Sequence, residues 1–302
     1  MKIIRAECMG FCAGVRRAVQ CADKALLENK DGQVYTLGPL IHNPVALKNF
    51  EERGLKVLDE NSINKIKKGD TVVIRAHGVT PEIFESLEST GAEIINGTCP
   101  IVQVNQKKCA DYAKDGYIIF FTGDKDHGEV IGIEGAAKKA ALEAGKKLNF
   151  ILVKSVDELK DSAGPFLNKS NVVLLSQTTF SIKVFDEIAS ELKEKIPSIE
   201  IVKSICPATH ERQSSLDKLC AQVEGVIVIG GKNSANTTRL FNKAQKLCGH
   251  AALIENASEI PEEFFALKTV GLTAGASTPD DVIDEVEKKL LSNQEIYRAN
   301  AL

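Results

Sequence analysis

Short apolar runs alternate with helix-patterned polar segments along almost the whole chain. Six of these runs each lead into a polar or glycine-containing turn and then an amphipathic stretch: "QVYTLGPL", "DTVVIRAHG", "GYIIFFTGD", "NVVLLSQTT", "GVIVIGGKN" and "KTVGLTAGAS". Repeated strand–turn–helix units favour parallel sheets whose strands are joined by crossover helices. The pattern therefore predicts an α/β fold with mostly parallel sheets.

A second element recurs three times, and each copy closes on a cysteine. The segments "EIINGTCP", "EIVKSICP" and the N-terminal "KIIRAECMGFC" each combine a short apolar strand, a cysteine and a following helical stretch. Each such segment goes with two of the six strand–turn–helix units, so the chain consists of three copies of one module, and the N-terminus supplies the cysteine segment of the third copy. We predict three small pseudo-symmetric α/β domains, formed by residues 13–98, by residues 99–205, and by residues 206–302 together with residues 1–12.

The composition of the chain excludes several classes of protein. Its 302 residues are 43% hydrophobic and carry a formal net charge of −3, which gives no electrostatic reason to bind nucleic acid or an anionic membrane. No apolar run has the length of a membrane span, and "MKIIRAECMG" lacks the apolar core of a signal peptide. We therefore expect a cytoplasmic protein with neither a nucleic-acid nor a membrane partner.

The repeat sorts the eight cysteines into two groups. A reducing cytoplasm disfavours disulfides, so each cysteine is a metal ligand, a reactive thiol or a small core residue. One cysteine in each module lies between a strand and a helix: Cys12, Cys99 and Cys206. The other five are predicted to be structural. Cys8 is placed in the N-terminal strand and Cys248 at the end of a helix, and three lie within helices: Cys21, Cys109 and Cys220.

Polar side chains follow the six strands, and parallel sheets bind ligands beyond the carboxyl ends of their strands. Three of the five histidines of the chain lie in these turns. Any single Ser, Thr or Asn there is also a common helix cap, but histidines at equivalent points of a repeat favour a phosphate or diphosphate site. The candidates are His42, Asn43, His77, His127, Glu129, Thr178, Thr179, Ser234, Asn236 and Ser277.

Three cysteines from three modules suit a metal centre if the modules meet around one axis. Structural zinc needs a fourth ligand and usually takes closely spaced cysteine pairs. A [4Fe–4S] cluster on three cysteines leaves one iron open to polarise a substrate oxygen, and cysteines roughly 90 to 110 residues apart suit it better. The "CMGFC" pair does not suit a radical-SAM site, since CxxxCxxC is needed and no third cysteine arrives until Cys21.

The motifs together resemble those of the LytB/IspH family of 4-hydroxy-3-methylbut-2-enyl diphosphate reductases. They are "GFCAGVRRAV", "LGPLIHNP", "RAHGV", "TCP", "HGEV", "SQTT", "ICPAT", "GGKNSAN" and "TAGAS", in the same order over nearly all of the chain. The resemblance implies a trefoil of three α/β domains around one [4Fe–4S] cluster with three Cys ligands and one open iron. It also implies the last step of the non-mevalonate isoprenoid pathway, with ferredoxin or flavodoxin as the electron donor.

The resemblance also assigns roles to individual residues. The cluster ligands would be Cys12, Cys99 and Cys206, and Glu129 would deliver protons with Thr178 and His127 beside it on the substrate hydroxyl. The diphosphate would be bound by His42, His77, Ser234, Asn236 and Ser277. The sequence departs from the family pattern at four positions. Ala235 stands where a second serine is usual, and Gly128 where a proline is usual. His210 and Glu211 stand where the family has Thr and Asn.

Two other functions use the same residues. One is a non-catalytic iron–sulfur or diphosphate-binding sensor on this scaffold, and the other is a zinc-stabilised α/β protein. A pure binding protein has no need of a proton donor, so the presence of Glu129 and Thr178 favours the reductase.

Overall fold

The computed structural model describes residues 1–29, 32–166 and 169–300. Its strands are β1 (Lys2–Arg5), β2 (Val34–Leu37), β3 (Leu55–Leu58), β4 (Thr71–Ile74), β5 (Glu93–Asn96), β6 (Ile118–Thr122), β7 (Asn149–Val153), β8 (Val172–Ser176), β9 (Glu200–Ile201), β10 (Gly225–Ile229), β11 (His250–Ile254) and β12 (Thr269–Ala274). Its α-helices are α1 (Ala13–Glu28), α2 (Pro44–Glu52), α3 (Pro81–Ser89), α4 (Pro100–Asp115), α5 (Gly128–Glu143), α6 (Val156–Ala163), α7 (Ile182–Lys195), α8 (Pro207–Cys220), α9 (Ala235–Leu247) and α10 (Asp280–Asn300).

The strands form three sheets of four, and every pairing between neighbouring strands is parallel. The strand orders are β5-β4-β2-β3, β9-β8-β6-β7 and β1-β12-β10-β11. All three sheets have the same topology. The strand that precedes a cysteine (β5, β9 or β1) lies at one edge, and the next strands inward are β4 and β2, β8 and β6, or β12 and β10. The predicted α/β class with parallel sheets is confirmed, and the predicted repeat is visible in the strand order.

The chain divides into two compact units. The first comprises Met1–Arg16, Ile41–Gly54 and Pro207–Leu302, and the second comprises Arg17–Leu40 and Leu55–Cys206. The first unit holds the sheet that contains β1 and β12, and the second holds the other two sheets. The boundaries of the three predicted domains stay a prediction.

The central strands are buried on both faces, which explains their continuous apolar sequences. Every residue of β4, β6, β8 and β10 is buried. In the second unit, Phe120 and Leu174 point into one core layer, whereas Ile119 and Phe121 point into the layer on the opposite face. Alternate residues of a strand point to opposite faces, so each of these strands supplies two cores at once.

The cysteine-bearing segments differ from the prediction that each strand closes on its cysteine. Regular pairing ends at Asn96 in β5, at Ile201 in β9 and at Arg5 in β1, and a loop separates each strand from its cysteine. Beyond β9 the ladder is interrupted because the Ser176 N–H donates to the Ser204 hydroxyl, at 2.6 Å, instead of to a backbone carbonyl. The sequence pattern also missed the edge strands β3, β7 and β11.

Among the residues that the structure describes, no helix combines the length and the apolar character needed to span a bilayer.

Removing the Phe120 side chain should destabilise the second unit. Phe120 has no exposed surface and lies in a closed core layer, so Phe120→Ala should lower the free energy of unfolding by about 3–5 kcal/mol through lost burial and a residual cavity. Chemical denaturation measures the change. Leu142→Ala is the control, since Leu142 is 76% exposed and its loss should change stability by less than about 0.5 kcal/mol. Equal effects of the two variants would contradict this description of the core.

Candidate active site

Glu129 is a buried carboxyl group held by two donors from one residue. It lies in the first turn of α5 and is only 1% exposed. The Thr178 backbone N–H donates to Glu129 Oε1 at 2.7 Å, and the Thr178 hydroxyl donates to Oε2 at 2.7 Å. Both oxygens are therefore fixed, and the Thr178 hydroxyl offers the carboxyl group a route for proton exchange. The structure brings together these two residues, which the sequence analysis singled out as a pair.

The turn before Glu129 contains a left-handed residue and ends at His127, which caps helix α5. Asp126 has φ 64°, a left-handed conformation that Asp tolerates better than most residues. His127 caps the N-terminus of α5, and its Nδ1 accepts from the Glu129 backbone N–H at 3.2 Å. The His77 ring meets the His127 ring edge to face, with centroids 5.0 Å apart. Four predicted site residues of the second unit, at the ends of β4, β6 and β8, thus form one contiguous group.

Each of the three singled-out cysteines makes the same backbone hydrogen bond inside its own unit. Its N–H donates to a carbonyl in the turn after the neighbouring central strand, at the second residue beyond β12, β4 or β8. The three bonds are Cys12 to Ala276 at 3.1 Å, Cys99 to Ala76 at 3.0 Å and Cys206 to Thr178 at 2.9 Å. Each cysteine is therefore tied directly to the turn that carries predicted substrate-binding or proton-donating residues.

In the first unit, the predicted site residues gather at the ends of β10 and β12. The Ser277 hydroxyl donates to the His42 carbonyl at 3.2 Å. Gly231 lies against the same carbonyl, and a Cβ there would come within 2.2 Å of it, so this close approach requires glycine. Ser234 caps the N-terminus of α9, where its Oγ accepts from the Thr237 N–H at 3.4 Å.

Two buried side-chain amides of the first unit have an unused NH₂ group. Asn236 is 7% exposed and Asn43 is 1% exposed, and the side-chain nitrogen of each is buried with no partner among the residues that the structure describes. The Oδ1 of Asn43 accepts from the Ala46 N–H at 3.0 Å, as an N-cap does, which leaves its NH₂ group as the unused donor. Buried donors without partners are costly, and an anion at this edge of the sheet would satisfy them.

Sequence reasoning missed the buried polar residues that hold the cysteine loops. Arg212, 3% exposed in α8, donates through Nη2 to the Gly10 carbonyl at 2.6 Å, two residues before Cys12. Asn105 in α4 donates through Nδ2 to the Ser204 carbonyl at 2.9 Å, two residues before Cys206. Both lie in the second turn of a helix that follows a cysteine. A charged or amide residue six positions after such a cysteine could therefore have indicated these supporting residues from the sequence.

Comparison with known proteins identifies the family of the chain. The family model described as LytB protein matches residues 3–291. The chain belongs to the LytB family. LytB relatives from Treponema denticola and Aquifex aeolicus, both named 4-hydroxy-3-methylbut-2-enyl diphosphate reductase, are 43% and 38% identical to it. The alignments cover 96% of this chain and 99% of the first relative, and 95% of this chain and 95% of the second.

Two solved structures of similar enzymes share the fold. One, (E)-4-hydroxy-3-methyl-but-2-enyl diphosphate reductase, described as the terminal enzyme of the non-mevalonate pathway, is 37% identical with a TM-score of 0.70, over 97% of this chain and 100% of the other. The second, E-1-hydroxy-2-methyl-but-2-enyl-4-diphosphate reductase from Plasmodium falciparum, is 29% identical with a TM-score of 0.84, over 95% of this chain and 86% of the other. The predicted membership of the LytB family is confirmed.

The remaining cysteines of this LytB-family chain have structural surroundings. Cys109 and Cys220 are buried, as expected for core residues, and Cys21 is half-buried in α1. Burial raises the pKa of the Cys109 thiol far above its usual value, and burial followed by the hydrogen bond with Cys248 raises that of Cys220 to about 12. Cys8 lies after β1 rather than within it, which corrects the prediction, and its N–H donates to the Ser215 hydroxyl at 3.1 Å.

Alkylation should separate Cys109 from the half-exposed cysteines. Because burial raises the pKa of Cys109, its thiolate fraction stays negligible at pH 8 and the side chain is also inaccessible. We expect iodoacetamide to modify Cys8 and Cys21 in the folded protein and to leave Cys109 unmodified, with all three reacting in guanidinium chloride. Mass spectrometry of peptides measures this. Labelling of Cys109 at the rate of Cys8 in the folded protein would contradict its assignment as a core residue.

Proposed function

We propose that this protein is a 4-hydroxy-3-methylbut-2-enyl diphosphate reductase. The reaction removes the allylic hydroxyl of the substrate: two electrons and two protons are consumed, the C–O bond breaks, and water leaves with isopentenyl or dimethylallyl diphosphate as the product. The observation that carries the proposal is the buried Glu129–Thr178 pair, joined through the Thr178 carbonyl to Cys206. It ties a proton donor to a predicted metal ligand within one turn.

We assign Cys12, Cys99 and Cys206 as the three ligands of one [4Fe–4S] cluster. Their donor chemistry fits such a group: all three are half-exposed, outside any disulfide among the described residues, and immediately precede the helices α1, α4 and α8. The Val15 N–H points at Cys12 Sγ, 3.4 Å away, and N–H groups directed at sulfur are the donors that stabilise thiolate ligands. Cys109 and Cys220 are too buried to serve.

When bound, the cluster supplies electrons one at a time and one open iron that polarises the substrate oxygen. The protein residues supply the protons. Glu129 is in position to give a proton through the Thr178 hydroxyl, which converts hydroxide, a poor leaving group, into water. His127 Nδ1 accepts from the Glu129 N–H and holds the turn, and we assign its ring to the substrate hydroxyl.

The diphosphate of the substrate is assigned to five residues at strand ends, with His127 and Thr178 contacting the substrate as well. The five are His42, His77, Ser234, Asn236 and Ser277. The unused amide donor of Asn236 and the N-terminus of α9 after Ser234 support an anion there. Asn43 joins this group, because its own unused NH₂ donor lies at the N-terminus of α2.

The electron donor in this proposal is a reduced ferredoxin or flavodoxin, and the protein acts in the cytoplasm. Anaerobic purification tests the function directly. We expect a brown protein that contains iron and oxidises reduced viologen when the hydroxylated diphosphate is added. A colourless protein with zinc, or an iron protein that binds the substrate without oxidising viologen, would overturn the proposal.

Glu129→Gln should separate proton delivery from binding. The amide keeps the size of the side chain but cannot deliver a proton, so kcat should fall at least about 100-fold while substrate affinity changes little. Single-turnover reduction and substrate titration measure the two quantities. Glu134→Gln is the matched control, since Glu134 lies further along α5 and should tolerate the change. Unchanged turnover in Glu129→Gln would remove the carboxyl group from the mechanism.

Cys12→Ser and Cys8→Ser test which thiol of the "CMGFC" stretch is a ligand. We expect Cys12→Ser to lose most of its iron and its visible absorption, whereas Cys8→Ser keeps both, because only Cys12 occupies the repeated position before a helix. Iron analysis of the anaerobically purified variants measures the outcome. The reverse result, with Cys8 required and Cys12 dispensable, would show the ligand assignment to be wrong.

A further inference from the structure

Arg75 is a largely buried cation beside the predicted site residues of the second unit, and the proposed function gives it no role. It follows β4 directly, and its side chain is 14% exposed. Its Nε is buried, with no hydrogen-bond partner in the described part of the chain. Among the described residues its ion pair is with Glu60, whose Oε1 is 3.9 Å from Nη2 and whose side chain is 45% exposed.

Two glycines hold the Arg75 guanidinium in place. A Cβ on Gly38 would lie 2.5 Å from Nη1, and a Cβ on Gly128 would lie 2.8 Å from Nη2. Gly38 follows β2, the neighbour of β4, and Gly128 is the first residue of α5. The guanidinium thus lies against the backbone at Gly38 and Gly128, and a Cβ at either position would displace it from this place.

The position of Arg75 joins it to the histidine pair. Gly128 lies between His127 and Glu129 in sequence, and the Cβ of His77 is 3.6 Å from the point where a Gly128 Cβ would be. His77 and His127 are in ring contact. The guanidinium and the His77 Cβ therefore both lie close to Gly128, the residue that follows His127.

The cation is poorly compensated as it stands. Burial lowers the pKa of Arg75 from its usual value, and the charge of Glu60 only partly opposes this. A buried charge with one distant, half-exposed partner is costly in the free energy of folding. A negative ligand near the two histidines would remove that cost, because Coulomb attraction is strong where water is excluded.

We propose that Arg75 is a positioning residue for the diphosphate group: a fixed positive charge, held between Gly38 and Gly128, that attracts the anion to the His77–His127 pair. It acts through its field and through the turn it supports rather than in the chemical step. This inference rests on the diphosphate substrate of the proposed function. It deepens that function by naming a residue that determines affinity for the anion.

The test measures binding of inorganic diphosphate to the iron-loaded protein by anaerobic calorimetry, at several salt concentrations. Arg75→Met should weaken binding about 10-fold and flatten its dependence on salt, because one fixed charge has been lost. The KM for the substrate should rise by a similar factor, with kcat reduced much less. Arg75→Lys should recover part of the affinity, since it restores the charge without the planar shape.

Arg53→Met is the matched control, because it removes the same charge from an exposed position over the Phe50 ring, and we expect unchanged diphosphate binding. Gly128→Ala provides a second test that does not need Arg75→Met to fold. Its Cβ displaces the guanidinium, so diphosphate binding should weaken in the wild-type background, and unchanged binding would contradict the inference. Where Arg75→Met does fold, adding Gly128→Ala to it should change binding little further.

Equal diphosphate affinity and salt dependence in the wild type and in Arg75→Met would overturn the inference, and so would additive effects of the two substitutions. Failure of the proposed function looks different. If the wild-type protein binds diphosphate in an Arg75-dependent way but does not reduce the hydroxylated substrate, the inference stands and the proposed function falls.

Discussion

The hydrogen bond from each singled-out cysteine N–H to the second residue beyond a central strand is the constraint on which the rest of this structure depends. It is made three times, to Ala276, Ala76 and Thr178, with nearly equal lengths. The central strands are buried on both faces and are therefore stiff. A backbone bond to such a strand fixes the start of the next helix relative to the turn, and so fixes a sulfur atom relative to histidine, threonine or serine side chains.

Much of the fold could be predicted because its signal is local. The central strands are continuous apolar runs, and the helices after Cys99 and Cys206 begin at prolines. The edge strands β3, β7 and β11 were missed because they are partly exposed, so their sequences are not the continuous buried runs of the central strands. The ends of the cysteine-bearing strands were misplaced for a related reason: the Ser204 hydroxyl that interrupts the ladder after β9 looks like any loop serine in the sequence.

The residues of the candidate site also include some that the sequence indicated and some that it did not. Glu129, Thr178, His77 and His127 could be chosen from the sequence because each lies in, or just after, the turn that follows an apolar strand, and the structure brings these four together within the second unit. The supporting residues Arg212, Asn105 and Arg75 were not chosen, because the sequence does not show that they are shielded from solvent. Their surroundings depend on carbonyl groups and glycines far away in the sequence, such as Gly10, Ser204 and Gly38. Arginine and asparagine side chains are usually solvent-exposed, and only the folded chain shows that these are not.

The pairing of β1 with β12 has a consequence for how the protein is made. Lys2 is the register partner of Thr269, so β1, the first of the described strands to be synthesised, can pair only after β12, the last of them, has left the ribosome. Until then, the sheet that contains β1 is incomplete, whereas the strands of the other two sheets all lie within residues 34–96 and 118–201. Cotranslational folding should therefore be ordered, and the loop carrying Cys12 takes its folded position only when synthesis has passed β12.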